Sequence, residues 1–315
     1  MSELLKKIDA RTKLAGTNKL EILLFTLGMD QRTGRRENFG INVFKVREVM
    51  RTPEITHAPE MPACVEGMVS LRGALVPVVD LAKYTGVQTT SRPEIMIVTE
   101  YNGHTQGFLV EAVDTILRLD WSQMRVPPDM LTAQMGGIIT AVTELDNGRL
   151  VMMMDVEKVL AETSSYDDSL SYANIRKVPK PRTIYFADDS TVARKQIATT
   201  LDIMGVKYHF AINGKRAWEE LDKMAALAEA NGQEMKDIVN LILTDVEMPE
   251  MDGYMLTKNI KTDPRFRGIP VLMHSSLSGM QNQKLGYSVG VDEYVAKFEP
   301  QRLAETLTRL LQVEE

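Results

Sequence analysis

The stretch LILTDVEMPEMDG, residues Leu241–Gly253, places a lone carboxylate, Asp245, directly after an apolar run. Short apolar runs of this kind are typical of strands that are buried on both faces of a parallel sheet. In open α/β sheets, the chemistry collects outside the carboxyl ends of such strands. Whether Asp245 is a structural or a chemical group therefore depends on what the neighbouring strands bring to the same edge.

The residues on either side of this stretch, 183–315, alternate between strand-like and helix-like patterns. TIYFA, YHFA, LILTD, PVLMHSS and DEYVAK have the short apolar runs of strands, and a helix-like segment follows each of them. Five such units predict an α/β, flavodoxin-like (βα)5 domain, in which helices cover both faces of a parallel sheet.

The predicted strand ends carry a specific set of side chains, namely Asp188, Asp189, Asp245, Ser275 and Lys297. Close carboxylates repel one another, so a bound cation is the natural compensation. Oxygen ligands of this kind suit Mg²⁺. A carboxylate beside Mg²⁺ can attack phosphorus and form an acyl phosphate, while the metal and a lysine neutralise the transferred oxygens. The set predicts a phosphorylation site.

Each of these residues also has a simpler interpretation when it is taken alone. An Asp-Asp pair before a helix is commonly an N-cap, and a lysine after a strand is commonly a surface residue. The combination at ordered strand ends favours the phosphorylation site. A phosphatase of the haloacid dehalogenase type would need a second Asp two positions after Asp245, where Glu247 stands. An EF-hand would need a different ligand spacing and a downstream Glu.

Residues Thr183–Gln312 resemble a response-regulator receiver domain through the motifs FADDS, LTDVEMPEMDG, PVLMHSS and DEYVAK. The resemblance implies that Asp245 is the phosphoacceptor. It also implies a Mg²⁺ site formed by the acid pair Asp188 and Asp189 together with Asp245, to which the backbone carbonyl of Glu247 adds a ligand.

The same resemblance implies that Ser275 and Tyr294 form a switch pair and that Lys297 contacts the phosphoryl group. Tyr294 could also be an ordinary strand aromatic. Receivers commonly have a proline after this lysine, whereas Phe298 follows Lys297 here and Pro300 comes later. The departure bears directly on the placement of Lys297.

The first half of the chain has short strand-like runs that are separated by regular turn signals. Asn102-Gly103 and Asn147-Gly148 each join two apolar runs, and such pairs are strong hairpin signals. Pro77 lacks a donor for the ladder, which predicts an edge or bulge position. The pattern predicts an antiparallel, barrel-like all-β domain. Two brief segments have helical patterns, Lys45–Met50 and Val156–Glu162.

Two segments, FGINVFKVREVM and PACVEGMVSLRGALVPVVDLAKY, resemble the CheW coupling domain of bacterial chemotaxis. That family folds as two small five-stranded barrels and docks on chemoreceptor tips and on the histidine kinase CheA, so the resemblance implies both partners. By position, it also implies that Val46, Glu48 and Arg72 lie on the partner-binding surface. Arginine is enriched at interfaces because its fork pairs with carboxylates. A buried Val46 and a local Arg72 salt bridge are the alternatives.

Between the two halves, Glu162–Arg182 is rich in Ser, Asp and basic residues, which predicts a linker. We expect an N-terminal segment at 1–19, a CheW-like domain at 20–162, a linker at 163–182 and a receiver domain at 183–315. This order resembles that of CheV-type chemotaxis coupling proteins. It implies a scaffold, not an enzyme, whose coupling is tuned at Asp245. The alternative is a phosphate sink that drains phosphoryl groups from the kinase.

The composition excludes several other classes of protein. The net charge of -6 over 315 residues argues against nucleic acid as a main partner. A single cysteine, Cys64, fits a reducing cytoplasm. No apolar segment is long enough to span a bilayer, so we expect a cytoplasmic protein that reaches membrane-bound receptor arrays through its partners. The first half has no nucleophile–base pair, which leaves a hydrolase without support.

Overall fold

The computed structural model describes residues 19–57, 59–101, 104–163, 172–276, 280–297 and 299–311. These residues divide into two compact units, 19–163 and 172–311. Within the described ranges, no helix is both long enough and apolar enough to cross a membrane.

The first unit is a β domain with two five-stranded sheets. Its strands are β1 (Lys19–Thr26), β2 (Asn38–Asn42), β3 (Val46–Arg51), β4 (Val65–Leu71), β5 (Ala74–Asp80), β6 (Ile95–Tyr101), β7 (His104–Val110), β8 (Ala112–Asp120), β9 (Ile139–Glu144) and β10 (Leu150–Met154). Its short helices are α1 (Leu81–Thr85), α2 (Asp129–Gln134) and α3 (Val156–Thr163). The first sheet has the order β8-β1-β2-β10-β9 and the second the order β3-β6-β7-β5-β4.

Each sheet encloses an apolar cluster of its own, and a third cluster is shared between the sheets. On β1, Leu20 and Ile22 pack inside the first sheet, whereas Phe25 packs in the shared cluster. Alternation of this kind follows from the period of two along a strand. Val78 belongs to the cluster inside the second sheet. Each sheet is therefore buried on two faces, as the predicted pair of small barrels requires.

Two expectations for this unit were wrong in detail. Each sheet contains a parallel pair, β2 with β10 and β5 with β7, so the domain is mixed and not purely antiparallel. The segment Lys45–Met50, predicted as a helix, is the end of a 3-10 turn followed by β3. Pairing of β3 with β6 supplies the backbone hydrogen bonds there, and tertiary pairing of this kind overrides a local helical pattern.

The hairpin signals agree with the structure, whereas the edge or bulge position predicted for Pro77 was wrong as to the strand, because β5 lies inside the sheet between β7 and β4. β6 and β7 pair through Tyr101 and His104, although Asn102-Gly103 lies outside the described residues. Gly148 has a φ of +77° in the turn that joins the antiparallel strands β9 and β10. Pro77 faces Met68 of β4, and the pairing of β5 with β7 begins one residue later. Its missing N–H group therefore costs no bond in the β5–β7 ladder.

The second unit is the predicted α/β domain. Its strands are β11 (Thr183–Ala187), β12 (Lys207–Ala211), β13 (Leu241–Thr244), β14 (Val271–Ser275) and β15 (Glu293–Ala296). Its helices are α4 (Thr191–Met204), α5 (Gly214–Ala230), α6 (Met235–Ile238), α7 (Gly253–Thr262), α8 (Met280–Ser288) and α9 (Pro300–Leu310). All strand pairs are parallel, in the order β12-β11-β13-β14-β15. Residues 172–182, predicted as linker, belong to this unit.

Helix α4 shows how local sequence sets the ends of these elements. The side chain of Ser190 accepts a hydrogen bond from the backbone N–H of Ala193 and caps the helix. Gly205 ends the helix with a φ of 70°, a left-handed conformation that glycine adopts without strain. Because Ser190 directly follows the acid pair, the start of α4 and the site described next are built by the same few residues.

Candidate phosphorylation site

The carboxyl edge of the parallel sheet gathers the predicted site residues. Asp188 follows β11, Asp245 follows β13, Ser275 ends β14 and Lys297 follows β15. Since β11, β13, β14 and β15 are adjacent and parallel, their ends meet at one edge. The sequence could therefore predict the neighbourhood of these side chains from strand order alone.

Three carboxylates form the centre of the site. Asp188, Asp189 and Asp245 each offer an oxygen, and these oxygens lie within 4.8 Å of one another. Asp188 and Asp245 are buried, and Asp189 is partly exposed. These carboxylates outnumber the ammonium of Lys297, so a divalent cation would offset the remaining charge. A set of hard oxygen donors with one partly exposed member fits Mg²⁺, which retains several waters.

Lys297 is held against two of these acids. Its Nζ donates to Asp245 Oδ2 at 2.8 Å and lies 3.0 Å from Asp188 Oδ2. The side chain is 1% exposed, so these ion pairs are screened little by water. Phe298 lies outside the described residues, but its presence leaves Lys297 within reach of Asp245. Lys297 therefore lies beside Asp245 as predicted, although phenylalanine and not proline follows it.

The loop between β13 and α7 fixes the position of Asp245. Its Oδ1 accepts a hydrogen bond from the backbone N–H of Val246 at 2.6 Å. Asp252 caps α7 by accepting from the N–H of Met255 at 2.7 Å. A Cβ on Gly253 would lie 1.9 Å from the backbone oxygen of Asp245, so only glycine fits this approach. The PEMDG part of the opening stretch thus packs against the backbone of Asp245.

Glu247 and Glu250 lie in the same loop. Glu247, whose carbonyl is a predicted metal ligand, is 7% exposed two residues after Asp245, and the role of its carbonyl stays a prediction. Glu250 has a φ of +66°, and its carboxylate accepts a hydrogen bond from Asn213 Nδ2 at 3.2 Å. Asn213 caps α5 by accepting from the N–H of Arg216. The loop is therefore tied to the start of α5, a contact that no sequence motif signalled.

The predicted switch pair is in contact. Ser275 is fully buried, Tyr294 is 5% exposed, and their side chains share a hydrogen bond. Burial raises the pKa of Tyr294, and the hydrogen bond to Ser275 opposes that rise in part. The backbone N–H of Lys297 donates to the carbonyl of Ser275 at 3.1 Å. A displacement of Ser275 would therefore be felt by both Tyr294 and Lys297.

Arg194 is a site residue that sequence reasoning missed. Its Nη1 donates to the backbone oxygens of Asp188 and Asp189, each at 2.8 Å. The guanidinium thereby holds the backbone of the acid pair from the first turn of α4. The sequence showed only a basic residue near a helix start, a common feature without a specific meaning.

We expect Arg194→Ala to weaken Mg²⁺ binding about tenfold, because two charge-assisted hydrogen bonds that orient the acid pair are lost. Isothermal titration with Mg²⁺ measures this. Arg194→Lys should recover part of the affinity, since a lysine can still donate to one carbonyl. Lys195→Ala, an exposed neighbour on the same helix, is the control and should bind as the wild type does. Equal affinity in Arg194→Ala and Lys195→Ala would contradict the role given to Arg194.

In the first unit, the three predicted partner-binding residues have different environments. Val46 is 1% exposed and packs in the shared core, so we remove it from the predicted contact surface. Arg72 Nη2 lies 3.0 Å from Glu48 Oε2, with side-chain exposures of 71% and 21%. Arg72 and Gly73 have φ values of 50° and 86° in the two-residue turn between β4 and β5, as a type I′ hairpin requires. Arg72 therefore projects from a hairpin tip and also forms a salt bridge.

A parallel sheet with acids, a serine and a lysine at its carboxyl edge, joined to a two-sheet β domain, defines a receiver fused to a coupling module. Residues 21–164 match the CheW-like domain family, and residues 184–308 match the response regulator receiver domain family. The chain belongs to the CheV-type chemotaxis coupling proteins.

Individual relatives resemble the whole chain or one of its halves. Chemotaxis protein CheV3 of Helicobacter pylori is 29% identical over 301 residues, which cover 93% of this chain and 95% of that protein. Chemotaxis protein CheW of Klebsiella aerogenes is 31% identical over 153 residues, 48% of this chain and 87% of that protein. Chemotaxis protein CheY1 of H. pylori is 35% identical over 126 residues, 39% of this chain and 92% of that protein.

Proposed function

We propose that this protein couples chemoreceptors to the histidine kinase CheA in the cytoplasm, and that phosphorylation of Asp245 tunes the coupling. One observation supports the phosphorylation most directly: a buried lysine and two further carboxylates converge around Asp245 at a strand end. The two partners are inferred from the CheW-like half, because this half is similar to chemotaxis protein CheW over 87% of that protein's length.

The chemistry is a phosphoryl transfer to a carboxylate. Asp245 Oδ2 attacks the phosphorus of a CheA phosphohistidine, the P–O bond forms, and the P–N bond breaks as the imidazole leaves. Lys297, already 2.8 Å from Oδ2, moves its hydrogen bond to a phosphoryl oxygen. Asp188, Asp189, Asp245 and the carbonyl of Glu247 would hold Mg²⁺, which, when bound, neutralises charge on the transferred group. The backbone N–H of Val246 donates to Oδ1, which leaves Oδ2 as the attacking atom.

The switch follows from the contacts of Ser275. A phosphoryl group on Asp245 offers new acceptor oxygens, and the Ser275 hydroxyl can donate to one of them. Its hydrogen bond with Tyr294 must then rearrange, because both side chains are buried and have few alternatives. Phosphorylation shifts the population of the two arrangements by the difference in their contacts. The face formed by β14, β15, α8 and α9 would change with Tyr294.

A contact face for a partner is proposed around the β4–β5 hairpin tip, with Arg72 and Glu48 as members. We expect Arg72→Asn to change the free energy of unfolding by less than about 1 kcal/mol, because an exposed ion pair contributes little and Asn tolerates the positive φ of this turn. Binding to receptor and CheA should fall about tenfold if Arg72 is an interface anchor. Pull-down from reconstituted arrays measures binding. Arg36→Ala, which breaks the pair of another exposed arginine with the partly buried Glu111, is the control.

A phosphate sink tethered to the array is the second candidate, and it is favoured by the same complete set of site residues. Asp245→Asn in the full chain separates the two functions in a reconstituted receptor–kinase assay. An adaptor with this substitution still supports receptor control of CheA, but the control no longer responds to phosphorylation. A sink with this substitution loses its whole effect on the kinase. Retained coupling that still responds to phosphodonor would contradict both.

A further inference from the structure

The segment Tyr172–Val178, which we call the strap, packs within the second unit, although its sequence predicted a linker. Ile175 and Val178 are half-buried and pack against the core cluster that contains Leu303 and Leu307 of α9. Tyr172 is also half-buried, so every third residue of the strap faces inward, and the residues between them are exposed. This period of three was hidden by the polar residues around it.

Hydrogen bonds to backbone carbonyls hold both the strap and the residues after it. The N–H of Val178 donates to the carbonyl of Met204, at the end of α4, at 2.9 Å. Arg182 Nη2 donates to the carbonyl of Leu311, just after α9, at 3.3 Å. Val178 therefore ties the strap to the end of α4, and Arg182 ties the residues just after the strap to the end of α9.

The contact between the strap and α9 is incomplete on one side. A surface cleft of about 660 Å³, open to solvent, lies between them, and both polar residues, such as Asn174 and Glu305, and apolar residues, such as Ile175 and Ala304, line it. Close-packed interiors resist displacement, whereas a contact with an open cleft on one side can shift at lower cost. The strap is thus fastened by two apolar side chains beside a gap.

Helix α9 links the strap to the phosphorylation site. It begins at Pro300, three residues after Lys297, whose Nζ contacts Asp245. A phosphoryl group on Asp245 stands between the carboxylate and the ammonium, so Lys297 must follow the new oxygens. A shift of Lys297 would therefore reach the start of α9. Leu303, in the first turn of this helix, and Leu307, one turn further, lie beneath the strap.

We propose that the strap is a phosphorylation-sensitive latch, which is docked on α4 and α9 while Asp245 pairs with Lys297 and is released when Asp245 is phosphorylated. The inference rests on the proposed phosphorylation of Asp245 and specifies how that event reaches the linker. The docked strap is seen together with a direct Asp245–Lys297 contact, so a displacement of α9 would disturb the packing of Ile175 and Val178 on that helix.

Hydrogen exchange of the full-length protein tests the latch. The reporter is the amide of Val178, which is protected by its bond to Met204. With acetyl phosphate and Mg²⁺, we expect its exchange to become about fivefold faster in the wild type. In Ile175→Asp, the Val178 amide should exchange fast both with and without acetyl phosphate. In Ile175→Ala, its exchange should also become faster than in the wild type. Lys177→Asp puts the same charge on an exposed position of the strap and should behave as the wild type does.

Intact mass recorded on the same samples separates the possible failures. A phosphoryl gain with unchanged or slower exchange at Val178 overturns the latch and leaves the phosphorylation standing. Absence of a phosphoryl gain overturns the proposed phosphorylation, and the latch falls with it. Equal exchange in Ile175→Asp and Lys177→Asp also overturns the latch, because the apolar contact would then not hold the strap.

Discussion

Gly253→Ala is expected to destabilise the receiver domain on the order of 3 kcal/mol and to reduce phosphorylation of Asp245 at least tenfold. The added Cβ would lie 1.9 Å from the backbone oxygen of Asp245 and 2.8 Å from its carbonyl carbon. No side-chain rotation relieves an overlap with backbone atoms, so the β13–α7 loop must move. Urea unfolding measures the first effect, and intact mass after incubation with phosphodonor measures the second.

Gly232→Ala provides the matched control for this substitution. Gly232 has a φ of +68°, but nothing lies within 4 Å of an added Cβ. Alanine there should cost about 1 kcal/mol through backbone strain alone, and phosphorylation should be unchanged. If Gly253→Ala were no worse than Gly232→Ala in both measurements, the close packing of the loop on Asp245 would be wrong.

The second large effect that we expect is a loss of stability in Lys297→Met. The lysine is 1% exposed and contacts two buried carboxylates, and breaking a buried ion pair typically costs about 3–5 kcal/mol, because a buried charge loses its compensation. We therefore expect Lys297→Met to lower the free energy of unfolding by about 3–5 kcal/mol when Mg²⁺ is absent. Saturating Mg²⁺ should raise the melting temperature of the variant more than that of the wild type, because the cation then replaces the missing charge.

The control for Lys297→Met is Lys261→Met. Lys261 Nζ lies 2.6 Å from Asp292 Oδ2, but both side chains are considerably exposed. Its loss should cost about 1 kcal/mol or less, with no dependence on Mg²⁺. Similar stabilities for the two variants, or no extra stabilisation of Lys297→Met by Mg²⁺, would contradict the charge arrangement given for the site.

The receiver half could be predicted from the sequence to a large extent, because strands that are buried on both faces leave continuous apolar runs. Parallel order then sends their ends, with Asp188, Asp245 and Lys297, to one edge. Hydrogen bonds from side chain to backbone leave no such pattern. Arg194 donates to backbone oxygens in this way, and Asn213 makes an equally unsignalled bond to the carboxylate of Glu250. Neither was found before the structure showed its partners.

The coupling half was harder to predict, since its strands are short and their neighbours are distant in sequence. The parallel pair of β5 with β7 arises from tertiary order that no local pattern records. Val46 stands where the resemblance implied a contact surface, but alternation along β3 turns its side chain into the core. In the predicted linker, Ile175 and Val178 are two apolar residues among charged ones, too few to indicate a docked segment without its partner helix.

Phosphorylation of Asp245 is the central claim, and intact mass spectrometry of the full chain tests it most directly. The wild type and Asp245→Asn are incubated with acetyl phosphate, with and without Mg²⁺. The account predicts a gain of one phosphoryl group in the wild type that requires Mg²⁺ and is absent in Asp245→Asn. No gain in a folded wild-type protein, or an equal gain in Asp245→Asn, would contradict it.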